Sequence, residues 1–481
     1  MLMTFRYLLA ERAFSRVTIF EQRSSVGGIW NYVPLLAGAP QGAAVPQTNP
    51  HAGTDQAIWP HDIGSKEHGQ EAAQFLTPLY DRLETNIPRG LMGFSDLDWP
   101  QDCQLFPTHE DVLNYIERYA EDVRHLVRFS TQVVDVRLTS QKQWTVKTQD
   151  VSSKDCREVE VETFDAVVVA SGHFNVPYIP DVPGIKHWNE SYSGAISHSK
   201  FYRRPENFED KKVLLVGASA SGTDIGAQIG MYCKKPLLMS SKTEAYLAES
   251  DSSSKTEKPP ITEYIVKDRT VCFEDGSIES GVDAVLYCTG YFYSFPFLND
   301  LTPPILTTGE RVENLYQHIF YRTQPSLAFP VLNQRIIPFP MAEAQAAVIA
   351  RVFSGRLALP DEEEMEAWEY GVTSEMGDGR GFHVLKFPKD ADYINAMHDW
   401  AVSADHIPCQ THRNGAVDGM QQDRAARVGK APPYWGGKEY WTRERFPAIK
   451  QAFQEYGEAR HSKRTLADVG FSFEEWNKAT S

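Results

Sequence analysis

An α/β architecture of two doubly wound, parallel-sheet units is predicted on three observations. The runs 164–170 and 282–288 are near-continuous and apolar, and each leads into a small-residue turn, Ser171-Gly172-His173 and Thr289-Gly290-Tyr291. Strands of that composition suit a parallel sheet covered on both faces. Between them, 211–216 reads as a strand, 217–222 as a tight Gly/Ser turn, 223–231 as a helix and 236–239 as the next strand. Thirdly, the β-branched run 16–20 ends on a carboxylate, Glu21, where a strand end would meet ribose hydroxyls.

The elements follow in order. Residues 8–13 are helix-like, and the Pro-, Gly- and Ala-rich stretch 33–60 is a loop or excursion. Apolar residues at helical spacing predict a helix over 109–127. Alternation over 133–138, 143–147 and 158–164 predicts a small inserted sheet. The polar segment 243–270 is assigned to loops and exposed hairpins, and 338–353 to a helix entered through prolines. Short helices are placed near 360–368, 390–402 and 441–455, with a polar, loop-like tract over 403–436. The echo between the two turn-linked strands divides the chain into a first unit over 1–198, a second over 199–297 inserted into it, and the return of the first over 298–481, with the C-terminal region.

Composition narrows the function classes. The chain has 481 residues, 48 Lys plus Arg against 64 Asp plus Glu, and a formal charge of -16. That balance argues against a nucleic-acid footprint or an anionic membrane surface. Six cysteines form no CxxC pair and no zinc spacing, so no metal site is expected and a disulfide oxidoreductase is disfavoured. No transmembrane anchor or secretory signal is apparent, and the expected setting is cytoplasmic.

The residues that carry chemistry sit at strand ends. Gly217 allows the sharp turn, Gly222 the close helix–strand packing, and the helix N-terminus then faces a pyrophosphate. Ser219 stands where the usual pattern has its middle glycine, and its hydroxyl is a phosphate donor; Ser221 belongs to the same turn. The following strand ends in Ser240-Ser241-Lys242 with no carboxylate, which suits a 2′-phosphate, so NADPH is expected over NADH; a plain surface lysine is the alternative for Lys242. Gly27-Gly28 offers a second close backbone approach to phosphate or a flavin ring, against an ordinary turn. Gly172-His173 is read as structural. His198, Tyr202, Arg203 and Arg204 lie in a dense polar and aromatic segment, with the arginines available to phosphate and Tyr202 packing on a base or covering the domain joint.

Together these residues resemble the flavin-containing monooxygenases, especially the fungal branch. The resemblance runs from about residue 8 and rests on Tyr192-x-Gly194-x-x-x-His198-x-x-x-Tyr202, Glu21 with Gly27-Gly28 and Trp30, Asn86 in TNIPRGLMGFSD, Phe106-Pro107, the ASGHFNVP stretch, Gly217–Gly222, Thr289-Gly290-Tyr291 and Gln345 in MAEAQAA. It implies two Rossmann-like domains, the NADPH domain inserted into a larger FAD domain. It implies FAD and NADPH as cofactors, with Glu21, Gly27, Gly28, Trp30, Thr289, Gly290 and Gln345 on the flavin side and Asn86 as the catalytic amide. The reaction implied is transfer of one O2 oxygen to a small soft nucleophile, an amine nitrogen or a thiol or thioether sulfur, through a flavin C4a-hydroperoxide. The motif lacks the Trp-Pro of Baeyer–Villiger relatives, which favours heteroatom over ketone oxygenation. One departure stands out: the family's first strand and glycine turn are missing ahead of Glu21, because residues 1–6 contain no glycine. The expectation is a longer working gene product; the rival is an N-terminally truncated, inactive NADPH-binding pseudoenzyme. A homodimer is left open.

Overall fold

A computed structural model describes residues 1–34, 42–51, 55–59, 73–155, 158–242, 255–404 and 429–480. Most expectations for 403–436 fall outside these residues, as does the first half of the polar segment 243–270.

The second unit is the most regular part. Strands β8 (Ile196–His198), β9 (Val213–Val216), β10 (Leu237–Ser240), β11 (Lys255–Lys258) and β15 (Ala284–Tyr287) form one sheet in the order β11-β10-β9-β15-β8, and every pairing is parallel. Val213, Leu214 and Leu215 are all fully buried, so successive side chains on opposite faces both meet apolar cover. Helix α4 (Ala220–Ile229) crosses between β9 and β10. The edge strand β8 comes from residues just ahead of position 199.

On the other side, β1 (Ile19–Phe20) pairs in parallel with β2 (Val127–Arg128). A separate sheet runs β17 (Leu315–Tyr316), β18 (Phe320–Tyr321), β19 (Leu327–Ala328), β6 (Val167–Val168), the last pair parallel. Residues 16–20 and 164–170 are therefore shorter as strands than their sequence predicts: among the described residues Ile19–Phe20 pair with β2 alone, and the run 164–170 is split, Phe164 pairing with Trp144 and Val167–Val168 with β19. Val17–Glu21 and Ala166–Ala170 both line one cavity of about 900 Å³.

Helix α1 (Leu2–Glu11) starts earlier than expected and ends at Arg12, whose φ is 51°. Buried Glu11 fixes that end through Arg356 at 2.9 Å and Ser354 Oγ at 3.1 Å. Helix α2 (His109–Ala120) opens on a reciprocal Thr108–Asp111 capping box and stops before residue 127. Helix α5 (Pro338–Phe353) matches its expected span. Its buried alanines at 342, 344, 346, 347 and 350 let α1 and α7 (Lys389–Ser403) approach closely. The inserted sheet is an antiparallel trio, β3 (Thr131–Leu138), β4 (Trp144–Asp150) and β5 (Val159–Phe164). Among the described residues no helix is long and apolar enough to cross a membrane.

Candidate functional site

The turn after β9 explains its glycines by contact. Gly217 has φ +108°, and a Cβ there would lie 2.6 Å from the Cys288 carbonyl oxygen; one on Gly222 would lie 2.0 Å from the Gly217 carbonyl oxygen. No side chain larger than hydrogen fits either place without moving backbone. Ser219 occupies the N-cap of α4 but makes no side-chain capping bond. The first-turn amides of α4, Ser221 among them, are left for an external acceptor, which is what a pyrophosphate cradle needs. Ser241 and exposed Lys242 follow β10 on the same sheet. These residues fit a bound dinucleotide phosphate.

His198 closes β8 onto the neighbouring turn. It is fully buried; its Nδ1 accepts from the Lys200 N–H at 3.1 Å, so Nε2 carries the proton and donates to the Gly290 carbonyl at 3.0 Å. Burial pulls its pKa down to about 3, so the imidazole is neutral. Gly290, at φ +80°, also accepts from the Tyr178 N–H at 3.0 Å, while Thr289 Oγ1 donates to the Tyr178 carbonyl. The turns after β8 and β15 are thereby fixed to one another.

Arg203 is committed elsewhere than to phosphate. It is buried, and it donates to the main-chain carbonyls of Val33 and Thr77 at 3.0 Å, Lys200 at 2.9 Å and Tyr202 at 2.7 Å. It is a staple of the joint between the two units. Tyr202 covers the same joint, its hydroxyl donating to Gln228 Oε1 at 3.0 Å. Arg204 is paired with Asp81. No local pattern marks the contacts to Val33, Thr77 and Asp81, which lie some 120 to 170 positions away.

On the flavin side, Glu21 stands at the end of β1 on the wall of the 900 Å³ cavity. It accepts from the Arg23 N–H at 3.0 Å, and burial raises its pKa. Gly27 has φ +108°, and a Cβ there would come within 2.5 Å of Leu113; Gly28, at φ +55°, has open space instead and shares the cavity wall. Trp30 closes the following 3-10 turn and packs on the core of α1, α2 and α5. Gln345 is fully buried on α5: its Oε1 accepts from the Val331 N–H at 2.7 Å, and its Nε2 donates to Asn333 Oδ1 at 2.9 Å and to Tyr393 at 3.1 Å. That bond orients Asn333 so that its buried Nδ2 has no partner. A buried donor held by a second amide and left unmatched fits a bound heterocycle's carbonyl or ring nitrogen. Asn333 lies in no motif, and no local pattern marks it.

Asn86 lies half-buried in the turn before Ile87-Pro88, and no described residue hydrogen-bonds its carboxamide. It does not line the 900 Å³ cavity. His173 packs against Phe174 and Tyr293 with its Nε2 unmatched, and burial takes its pKa to about 4, in keeping with a structural role. Cys103, Cys233, Cys272 and Cys288 are free thiols. No cluster of metal-ligating side chains occurs among the described residues.

The family model for flavin-binding monooxygenase-like proteins matches residues 60–257 and 252–409. Flavin-containing monooxygenase FMO GS-OX1 of Arabidopsis thaliana is 33% identical over 365 residues, covering 73% of this chain and 71% of that protein. Flavin-containing monooxygenase ustF2 of Aspergillus flavus is 28% identical over 428 residues, 80% and 86% of the two chains. Among solved structures, S-allyl-L-cysteine S-oxygenase from Allium sativum superposes with a TM-score of 0.70 at 28% identity, over 100% of this chain and 95% of that one.

Proposed function

The chain belongs to the flavin-binding monooxygenase-like family, and from that premise we propose how this site performs oxygenation with FAD and NADPH. The observation that carries the reading is the β9–α4 turn: two glycine positions closed to any Cβ, backed by an uncapped helix N-terminus. It supports Gly217, Ser219, Ser221 and Gly222 as the pyrophosphate cradle of NADPH, with Ser241 and Lys242 on its 2′-phosphate. Glu21 receives ribose hydroxyls of FAD, Gly27-Gly28 lets backbone approach the cofactor, and Asn333, oriented by Gln345, donates to the flavin ring. His198 and Thr289-Gly290 keep the two sites in register, and Arg203 and Tyr202 hold the joint.

When bound, the flavin supplies hydride acceptance and O2 activation. The protein's own part is to bind, orient and keep water out. Asn86 offers an amide donor toward the reacting oxygen. A substrate lone pair needs no general base, in keeping with His173 and His198, whose burial leaves both rings too weakly basic to take a proton near neutral pH.

We assign sulfur as the preferred atom, in a small thioether or thiol. Support comes from the full-length likeness to an S-oxygenase at 28% identity and from Tyr202 standing where ketone-oxygenating relatives carry Trp-Pro. The free thiols fit a reducing, cytoplasmic setting. The test is product analysis of the FAD-loaded protein with NADPH and equal amounts of a thioether, a tertiary amine and a cyclic ketone. Sulfoxide as the main product is expected. Lactone without sulfoxide overturns the assignment, and NADPH binding without flavin uptake supports the pseudoenzyme instead.

A further inference from the structure

Residues 80–85 run directly into Asn86 and are gripped from two directions. On one side Tyr80 donates its hydroxyl to Asp224 of α4, and Gln228 Nε2 donates to the same carboxylate at 3.0 Å. On the other side lies the long helix Gly437–Glu455. Its Lys450 is buried, reaches the Thr85 carbonyl at 2.9 Å and lies 3.7 Å from Glu84. Thr85 is held as well through its N–H to the Pro107 carbonyl at 2.8 Å and its hydroxyl to the Ile87 carbonyl at 2.9 Å.

A buried ammonium is costly unless it is paired and hydrogen-bonded. Here burial lowers the Lys450 pKa while Glu84 and Asp224 oppose it. Apolar packing of the helix would need only a leucine or methionine at 450. The charge is instead aimed at the one carbonyl that precedes Asn86. The strap thus joins α4, whose N-terminus cradles the nicotinamide cofactor, to the turn that carries the unbonded carboxamide.

We propose that Lys450 is a positioning residue for the oxygenation, holding the Thr85 carbonyl so that the Asn86 carboxamide keeps a fixed placement relative to α4. This rests on the reading of Asn86 as the amide donor. Nothing in the sequence points to it, since Lys450 lies 365 positions from its acceptor.

The experiment compares K450M, the double variant K450M/E84Q, K450R and N86A in the FAD-loaded protein. It reads peroxide released against sulfoxide formed per NADPH, flavin reduction without oxygen, and the melting temperature. Glu84 is also held by Arg460 Nε at 3.3 Å, so K450M leaves it paired, and the double variant removes the Lys450–Glu84 contact from both ends if K450M alone fails to fold. Misplacement of a positioned group by about 1 Å costs up to roughly 100-fold. A roughly tenfold rise in the peroxide-to-sulfoxide ratio is therefore expected in the methionine variants, with anaerobic reduction unchanged and most of the coupling restored in K450R. If N86A uncouples but folded K450M/E84Q stays coupled, the positioning role is overturned. It is overturned too if the lysine variants lose stability and flavin together without changing the ratio. If N86A itself stays coupled, the reading of Asn86 falls first and takes this inference with it.

Discussion

A Cβ placed on Gly222 would lie 2.0 Å from the Gly217 carbonyl oxygen. Backbone meets backbone there, so no rotamer change relieves the clash. Gly222→Ala is expected to open the turn and raise the NADPH dissociation constant by at least about tenfold, roughly 1.4 kcal/mol. Gly217→Asp adds a charge facing the phosphates to a similar clash and should do worse. Gly28→Ala is the control: open space surrounds it, so it meets only the left-handed backbone cost of about 1–2 kcal/mol. Titration of cofactor fluorescence checks all three, and unchanged NADPH affinity in Gly222→Ala would displace the cradle from this turn.

Lys242 is exposed just past β10. If it meets the 2′-phosphate, Lys242→Ala weakens NADPH and leaves NADH alone. A single solvent-facing charge-assisted contact contributes about 1 kcal/mol, so the NADPH-to-NADH preference should fall about fivefold and fall further at low ionic strength. Equal loss for both cofactors assigns Lys242 to the surface.

Several buried histidines tie stability to pH. Burial lowers the pKa of His173 to about 4 and of His198 and His318 to about 3, from an ordinary 6.5. His383 is lowered as well. His383 Nε2 accepts from the Val312 N–H, so its Nδ1 carries the proton and donates to His318 Nδ1 at 3.0 Å. Each ring folds neutral, and the unfolded chain binds more protons below pH 6.5. Their contribution is therefore fully present above that pH and is lost as pH falls toward 3–4, by up to about 1.4 kcal/mol per pH unit per histidine. Glu21 and Asp224, whose pKa values are raised, act in the opposite sense. Urea midpoints should drop between pH 6.5 and 5, and His173→Phe should shrink that drop by one proton's worth. An unchanged pH slope in His173→Phe would show that its ring is not held neutral.

The sequence showed most where local chemistry decides. The β9–turn–α4–β10 unit, helix α5 and the antiparallel trio all follow from spacing and turn residues. What it missed depends on partners far along the chain. Arg203 looks like a phosphate ligand beside Tyr202 and Arg204, yet four carbonyls, two of them from residues 33 and 77, engage it. Asn333 becomes a candidate donor only once Gln345 is seen to orient it. The flavin-side strands are shorter than their apolar runs because pairing, not propensity, sets where a ladder ends.

Glu21 gives the sharpest test of the flavin site. Its carboxyl sits at the end of β1 on the cavity wall, where it accepts from the Arg23 N–H at 3.0 Å. A carboxylate in that place can accept from two ribose hydroxyls, and charge-assisted bonds of this kind contribute about 1.5–3 kcal/mol together with their geometry. Glu21→Gln keeps shape and one acceptor, so flavin affinity should fall modestly; Glu21→Ala should lower it by roughly 10- to 100-fold. Ligand binding stabilises by RT ln(1 + [L]/Kd), so added FAD should raise the melting temperature of the unaltered protein more than that of Glu21→Ala. NADPH should shift both equally, because the β9–α4 cradle is built from other elements. If Glu21→Ala answers FAD as the unaltered protein does, the ribose of FAD lies elsewhere than at β1.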